Sequence, residues 1–299
     1  MPEQKITHPG QLLKDNNLYA NKELGQNFLS NPATGQMIVQ KCKISSETKV
    51  VEIGSGLGAL TIPLAKAALH VTAIEKDLRL IPVLQKELDN QNLQNVDIIK
   101  KNVLKIDFHK IASFCNKTNQ SKVNDNKIVI IGNLPYNISS QILFRLVEQR
   151  NCIKKAFLMF QKELAKRIIA SPGKKDYSRL SAVVQYAADI SFVADIGPSS
   201  FFPKPDINST ILQFKFSHKN ELDQTLEKLL FDVIKACFSK RRKSLKNSMT
   251  GGEFKFKKKF VVAALTKAGI DPVRRAETLS VNEFVQLAKA VDKLFIDKD

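Results

Sequence analysis

Short apolar runs alternate with helix-length amphipathic stretches through the first two thirds of the chain. Lys49–Ile53 (KVVEI) is an apolar run that stops at glycines and predicts a buried strand. Ala59–Ala68 predicts a helix, and His70–Glu75 (HVTAIE) a second strand. Asp77–Asn90 spaces Leu80, Leu84 and Leu88 along one helical face. Val96–Lys100, Lys127–Ile131 (KIVII) and Ala156–Phe160 (AFLMF) predict three more strands. Strands separated by helix-length segments predict an α/β fold with a Rossmann-like, doubly wound, mostly parallel sheet. Ala182–Ile196 and Asn208–Phe216 read as late strands on either side of a proline-rich turn at Phe201–Pro205. The polar stretch Phe114–Asn126 reads as an exposed connection. Beyond Phe216 the texture turns helical, over Leu222–Phe238, Lys257–Ala268 and Val281–Phe295. The expected organisation is a polar arm with a short helix at 1–23, an α/β domain at 24–218 and a helical domain at 219–299.

The length of 299 residues and a hydrophobic share of 43% are enough for two cored domains. No apolar run reaches the roughly 18–20 residues that span a bilayer, and the N-terminus is too polar for a secretory signal. Cys42, Cys115, Cys152 and Cys237 stand far apart, in neither a zinc nor a disulfide pattern. Reduced thiols in the cytoplasm, with no metal and no membrane, are therefore expected. Charge adds a partner. The net of +18 suits a phosphate backbone, although solubility alone also favours such a surface. The densest cluster is Lys240, Arg241, Arg242, Lys243 and Lys246; Lys255 and Lys257–Lys259 follow, interleaved with Phe254, Phe256 and Phe260, and then Arg274 and Arg275. The phenylalanines read as core. The cations make the helical domain the expected grip on RNA.

Val51–Thr61 (VEIGSGLGALT) sets Gly54, Gly56 and Gly58 between a strand and a helix. Backbone N–H groups there approach a ligand closely at the positive end of a helix. Glu75 ends the second strand 21 residues after Gly54, where a carboxylate accepts from ribose hydroxyls. These features fit either a dinucleotide or another adenosine cofactor. Glu52 separates the two, because an acid beside the loop repels a pyrophosphate and attracts the amino group of a methionine.

Gly132–Ile138 (GNLPYNI) follows the fourth strand, so Asn133 stands at the carboxyl end of a sheet strand. An adenine amino nitrogen is a poor nucleophile because the ring delocalises its lone pair. Two acceptors, the Asn133 side-chain oxygen and the Leu134 carbonyl, could bind its N–H groups and turn the lone pair toward a methyl donor. Pro135 stiffens the turn. Tyr136 offers a face on which a base stacks, worth about 1–3 kcal/mol. Catalysis would then rest on orientation and on electrostatic stabilisation, with the base flipped out to reach the pocket.

Taken together these motifs resemble the ribosomal RNA adenine dimethyltransferase family from about Asn21 to Phe284. They do so through Leu24–Leu29 (LGQNFL), Glu52–Gly58, Glu75, Asn133–Tyr136, residues 202–212 (FPKPDINSTIL), residues 238–249 (FSKRRKSLKNSM) and residues 274–284 (RRAETLSVNEF). The resemblance implies S-adenosyl-L-methionine as cofactor and N6,N6-dimethylation of two adjacent adenosines near the 3′ end of 16S rRNA, in the small subunit or its precursor, by a monomer. It implies that Gln26, Asn27 and Leu29 close over the cofactor, with Gly54 and Gly56 beneath it, and that Phe202 stacks on the target adenine. The family's third strand usually ends in an Asp that accepts from the cofactor's adenine amino group. Asn102 stands there in this chain, and its side-chain oxygen keeps the acceptor but not the charge.

Three other readings compete. An enzyme acting on 23S rRNA, of the antibiotic-resistance type, shares the loop and a similar Asn-Pro-Tyr motif. Leu134 and the RRAETLSVNEF segment favour the small-subunit branch. An NAD-dependent oxidoreductase explains the glycines and Glu75 but leaves Glu52 and Asn133–Tyr136 without a purpose. An assembly factor with a vestigial methyltransferase fold has no use for Asn133.

Overall fold

Runs of buried branched residues build the sheet. The structure, a computed structural model, describes residues 6–117, 127–216, 222–240, 242–250 and 257–296. The strands are β1 (Phe28–Leu29), β2 (Lys49–Ile53), β3 (His70–Glu75), β4 (Val96–Lys100), β5 (Ile128–Asn133), β6 (Ile153–Gln161), β7 (Ala188–Ile196), β8 (Phe201–Phe202) and β9 (Ser209–Phe216). Every residue of β2 is buried, as expected of a parallel strand covered on both faces. The main sheet runs β4-β3-β2-β5-β6-β9-β7. β2 pairs parallel with β3 and with β5, β3 with β4 and β5 with β6, whereas β9 runs antiparallel to β6. The small sheet joins β1 to β8, with Phe28 opposite Phe202.

The chain order leaves β2 toward β3 on one side and continues at β5 on the other. That reversal is the switch point where open α/β sheets bind ligands, outside the carboxyl ends of the strands. Register puts Ile53 opposite both Ile74 and Gly132. The ends of the three strands bearing Glu52, Glu75 and Asn133 therefore lie side by side.

The chain divides into two compact units. One is Met1–Ala165 with Asp189–Phe216, and the other is Lys166–Ala188 with Ser217–Asp299. In the first unit the arm is less detached than its polarity suggests. Pro9–Asp15 forms a helix whose Leu12 and Leu13 pack with Phe28, Leu57, Leu80 and Val83. Burying one such leucine is worth roughly 1.5–3 kcal/mol. In place of an exposed connection, residues 114–117 finish the helix Phe108–Lys117, and 118–126 lie outside the described residues.

The second unit is helical and includes 166–188 as well as the stretch from 219 onward. Here one strand expectation fails. Residues 182–187 belong to a helix, Arg179–Ala187, and the strand starts at Ala188. A continuous apolar run does not distinguish a buried helix from a buried strand. The helix is settled by partners a local reading does not reveal. Ser181 Oγ accepts from the Ser178 N–H and donates to the Arg167 carbonyl, and Gln185 Nε2 donates to the carbonyls of Ile168 and Ala170, both at 2.9 Å. Phe238 packs between Tyr177 and Phe284; of the interleaved phenylalanines, Phe260 is buried as expected, and Phe254 and Phe256 lie outside the described residues. Arg274 is tied up in the fold: it pairs with Glu283 and donates from Nη2 to the Thr278 carbonyl at 2.8 Å. Glu283 also accepts from the Ser280 N–H, which caps the helix Val281–Ile296. The basic appearance of this segment is thus partly structural.

Candidate active site

The strand ends open into one cleft in the first unit, enclosing about 1100 Å³ with its mouth included. Residues 23–29 wall it on one side and the strand ends and their loops on the other. The cleft brings together Gln26, Asn27, Leu29, Glu52, Gly54, Gly56, Glu75, Asn102, Asn133, Leu134, Pro135 and Tyr136.

Glu75 organises the glycine loop. Its Oε2 accepts from Gly56 N–H at 2.8 Å, and its Oε1 accepts from Lys76 N–H at 2.8 Å and Asp77 N–H at 2.7 Å. Gly56 has φ +54°, and a Cβ there would sit 3.0 Å from the Phe28 ring, so only glycine lets the loop pass under β1. Three N–H groups occupy most of the roughly four acceptor positions of a carboxylate. A single position therefore remains for a ribose hydroxyl, where the sequence reading had counted on two. Burial pushes the Glu75 carboxyl above the ordinary glutamate range, and the three N–H groups oppose the shift.

Glu52 is 1% exposed. Burial, opposed by the nearby Thr61 hydroxyl and reinforced by Glu75, pushes its carboxyl up to about 8. Its Oε2 and the Oγ of Ser55 are buried with no hydrogen-bond partner among the described residues. Buried polar atoms left in this state are costly. Here they suit a ligand carrying a cationic amino group and further polar atoms.

Asn133 closes β5, beside the end of β2 and the glycine loop. Its Nδ2 donates to the Asn27 carbonyl at 2.8 Å. A carbonyl only accepts, so this bond fixes which end of the amide is nitrogen. The Oδ1 end is left to take an N–H from a substrate. Leu134 is buried and anchors the turn. The Pro135 carbonyl accepts from Ser139 Oγ at 2.8 Å and Ile138 N–H at 3.2 Å, which starts the helix Ser139–Glu148. The Tyr136 hydroxyl meets Ser209 Oγ at 3.0 Å, holding the half-buried ring in place.

Three expectations need restating. Gln26 is engaged with protein: Nε2 donates to Asp77 Oδ2 at 2.9 Å, and Oε1 accepts from Asn21 N–H at 2.7 Å. The Oδ1 of Asn102 lines the cleft but already accepts from Leu104 N–H at 3.0 Å as the cap of a short 3-10 turn. Phe202 does not line the cleft; its ring is 38% exposed and meets His8 edge-on at 5.6 Å. Of the basic cluster, Lys240, Arg242 and Lys243 are exposed, Lys246 is half-buried, and Arg241 lies outside the described residues. Sequence reasoning missed Phe28, Asp77 and Ser209. Each acts through a contact more than 20 residues away, and no motif spacing records it.

A model of the family described as ribosomal RNA adenine dimethylase matches residues 17–293. The ribosomal RNA small subunit methyltransferase A of Desulforapulum autotrophicum is 50% identical over 96% of this chain and 97% of its own length. The protein of that name from Bacillus mycoides is 38% identical over 90% of each chain. A dimethyladenosine transferase from Plasmodium falciparum superposes with a TM-score of 0.72 at 28% identity, covering 89% of this chain and 98% of that one. The 23S rRNA methyltransferase ErmE shares the fold with a TM-score of 0.61 at 23% identity, over 89% and 99% of the two chains.

Proposed function

The chain belongs to the ribosomal RNA adenine dimethylase family, and from that premise we propose that it dimethylates N6 of two adjacent adenosines near the 3′ end of 16S rRNA with S-adenosylmethionine. The observation that carries the reading is the Asn133 amide. Its donor end is committed to Asn27 and its acceptor end is free for an adenine N–H. The relatives at 50% and 38% identity bear a small-subunit name, which favours that substrate over the large-subunit alternative.

The residues divide the work. Glu52 and Ser55 hold the amino-acid end of the cofactor, the loop from Gly54 to Gly56 passes beneath it, Glu75 takes one ribose hydroxyl, and Asn102 faces the purine. When bound, S-adenosylmethionine supplies an electrophilic methyl group on a sulfonium. In the first transfer Asn133 Oδ1 and the Leu134 carbonyl accept hydrogen bonds from the two N6–H groups, localise the lone pair and stabilise the positive charge that grows on the nitrogen, which then sheds a proton to solvent; in the second the one remaining N–H is held by a single acceptor and lost in the same way. Tyr136, held by Ser209, stacks on the flipped ring. Phe202 belongs to the small sheet, opposite the cleft-lining Phe28, whereas Tyr136 lines the cleft itself, so Tyr136 is the primary stacking surface.

Glu52 makes cofactor binding depend on pH. Below about 8 its carboxyl is protonated in the free protein. Holding an ammonium group favours the ionised form, so binding expels a proton. Affinity for S-adenosylhomocysteine is expected to rise by up to about tenfold per pH unit from 6 to 8 and then level off. Titration calorimetry in buffers of different ionisation heat should detect the released proton, and Glu52→Gln should flatten the profile. A flat profile in the unmodified protein would contradict the role given to Glu52.

The helical unit is proposed to hold RNA by its phosphates through Lys240, Arg241, Arg242, Lys243 and Lys246. Alanine at Lys240, Arg242 and Lys243 together should weaken RNA binding and lower the slope of log K against log salt by about 0.7–0.9 per lost contact. An unchanged slope in filter-binding titrations would move the contacts elsewhere.

A further inference from the structure

The roles assigned above leave Asp77 unused, although its side chain is only 5% exposed. It stands two residues beyond Glu75 and donates its own N–H to Glu75 Oε1 at 2.7 Å. Its carboxylate is gripped by Arg79, through Nε at 2.9 Å and Nη2 at 2.7 Å. Those bonds hold it down to about 2, so it stays ionised at any working pH. The Arg79 N–H also donates to Oδ1 at 3.2 Å, and the one contact from outside this turn is the bond from Gln26 Nε2 at 2.9 Å. Charge-assisted bonds of this kind are shorter and stronger than neutral ones.

The consequence lies in what Gln26 carries. Its Oε1 holds Asn21 N–H, closing residues 21–26 into a loop, and the next residue, Asn27, offers the carbonyl that fixes the Asn133 amide. A second tether holds the chain just before this segment, because the Arg79 guanidinium lies over the Tyr19 ring at 5.4 Å. A continuous path therefore runs from Glu75 through Asp77 and Gln26 to Asn27 and Asn133, and each donor faces an acceptor. We infer that Asp77 is a positioning residue for methyl transfer, which through Gln26 sets the segment 21–27 so that Asn133 presents its oxygen to the base. The inference rests on Asn133 being the acceptor for the adenine amine. With the segment adrift, the amide is free to turn over or shift, and a displacement near 1 Å costs about 100-fold in rate.

A polarity swap tests this. Gln26→Glu sets a carboxylate against Asp77 and should release the segment. Adding Asp77→Asn restores a donor–acceptor pair in the reverse sense and leaves Oδ1 for Arg79 Nε, while Nη2, which shares Oδ2 with Gln26, exchanges that acceptor for the new carboxylate at 26. For Gln26→Glu, kcat on small-subunit RNA should fall by about tenfold or more while the S-adenosylhomocysteine Kd moves by less than about fivefold. Hydrogen exchange at residues 21–27 should also speed up. Gln26→Glu/Asp77→Asn should recover kcat to within about threefold of the unmodified protein and restore the protection. A double variant no better than the single one, in rate or in exchange, would overturn the inference, as would unchanged exchange in Gln26→Glu. Should the unmodified protein transfer no methyl group at all, the functional reading fails, and the exchange pattern alone still decides whether the tether exists.

Discussion

Replacing Asn133 with alanine is expected to reduce kcat by about 10²–10³-fold, the usual cost of deleting one preorganised polar contact to a reacting centre. The size follows from what no neighbour replaces. In the Asn133–Tyr136 turn the Tyr136 hydroxyl is engaged with Ser209, which leaves the Asn133 amide oxygen as the side-chain acceptor, and the Leu134 carbonyl alone leaves one N–H unheld. The fold should survive, because Asn133 is half-buried and makes its recorded bond to a single carbonyl. Single-turnover methylation of small-subunit RNA gives the rate, and calorimetry with S-adenosylhomocysteine gives the companion number, which should move by less than about threefold. A variant that keeps a rate within threefold of the original would remove Asn133 from the chemistry.

Glu75→Ala should be the most damaging change on the cofactor side. It deletes the acceptor of three backbone N–H groups and leaves those of Gly56 and Asp77 buried without that partner. Each such group costs about 1–3 kcal/mol. The loop through Gly56 then loses its shape along with its ribose contact, so the cofactor Kd should rise by about 100-fold, or roughly 2.7 kcal/mol. RNA affinity, proposed to rest on cations of the helical unit, should change by less than about twofold. Glu75→Gln keeps one oxygen but sets an NH₂ against an N–H, and should fall between the two. Equal losses in cofactor and RNA affinity would mean that Glu75 supports the whole unit and not the ligand.

The parts legible in the chain were those that local chemistry writes. The fully apolar run Ile128–Ile131, and the run Val50–Ile53 broken only by Glu52, announce strands buried on both faces. Gly54, Gly56 and Glu75 announce an adenosine site by spacing. Asn133 stood out because a polar side chain between a strand and a proline has few structural uses. Less legible was anything that depends on a distant partner. The helix at 179–187 is decided by carbonyls of a preceding helix. Gln26 meets Asp77 across 51 residues. The holder of Asn133 is a backbone carbonyl, which carries no signature in any side chain. Asn102 and Arg274 show a further limit. Each was read for a ligand, and each also has a structural duty, as cap of a turn and as partner of Glu283.

The central claim is that this cleft aims an adenine amine at a methyl sulfonium. Its most direct test incubates the purified protein with S-adenosylmethionine carrying a labelled methyl group and small ribosomal subunits that lack the modification. The RNA is then digested to nucleosides for mass spectrometry. The account predicts labelled N6,N6-dimethyladenosine. Unlabelled adenosine, or label on a ring carbon or a ribose oxygen, would contradict it.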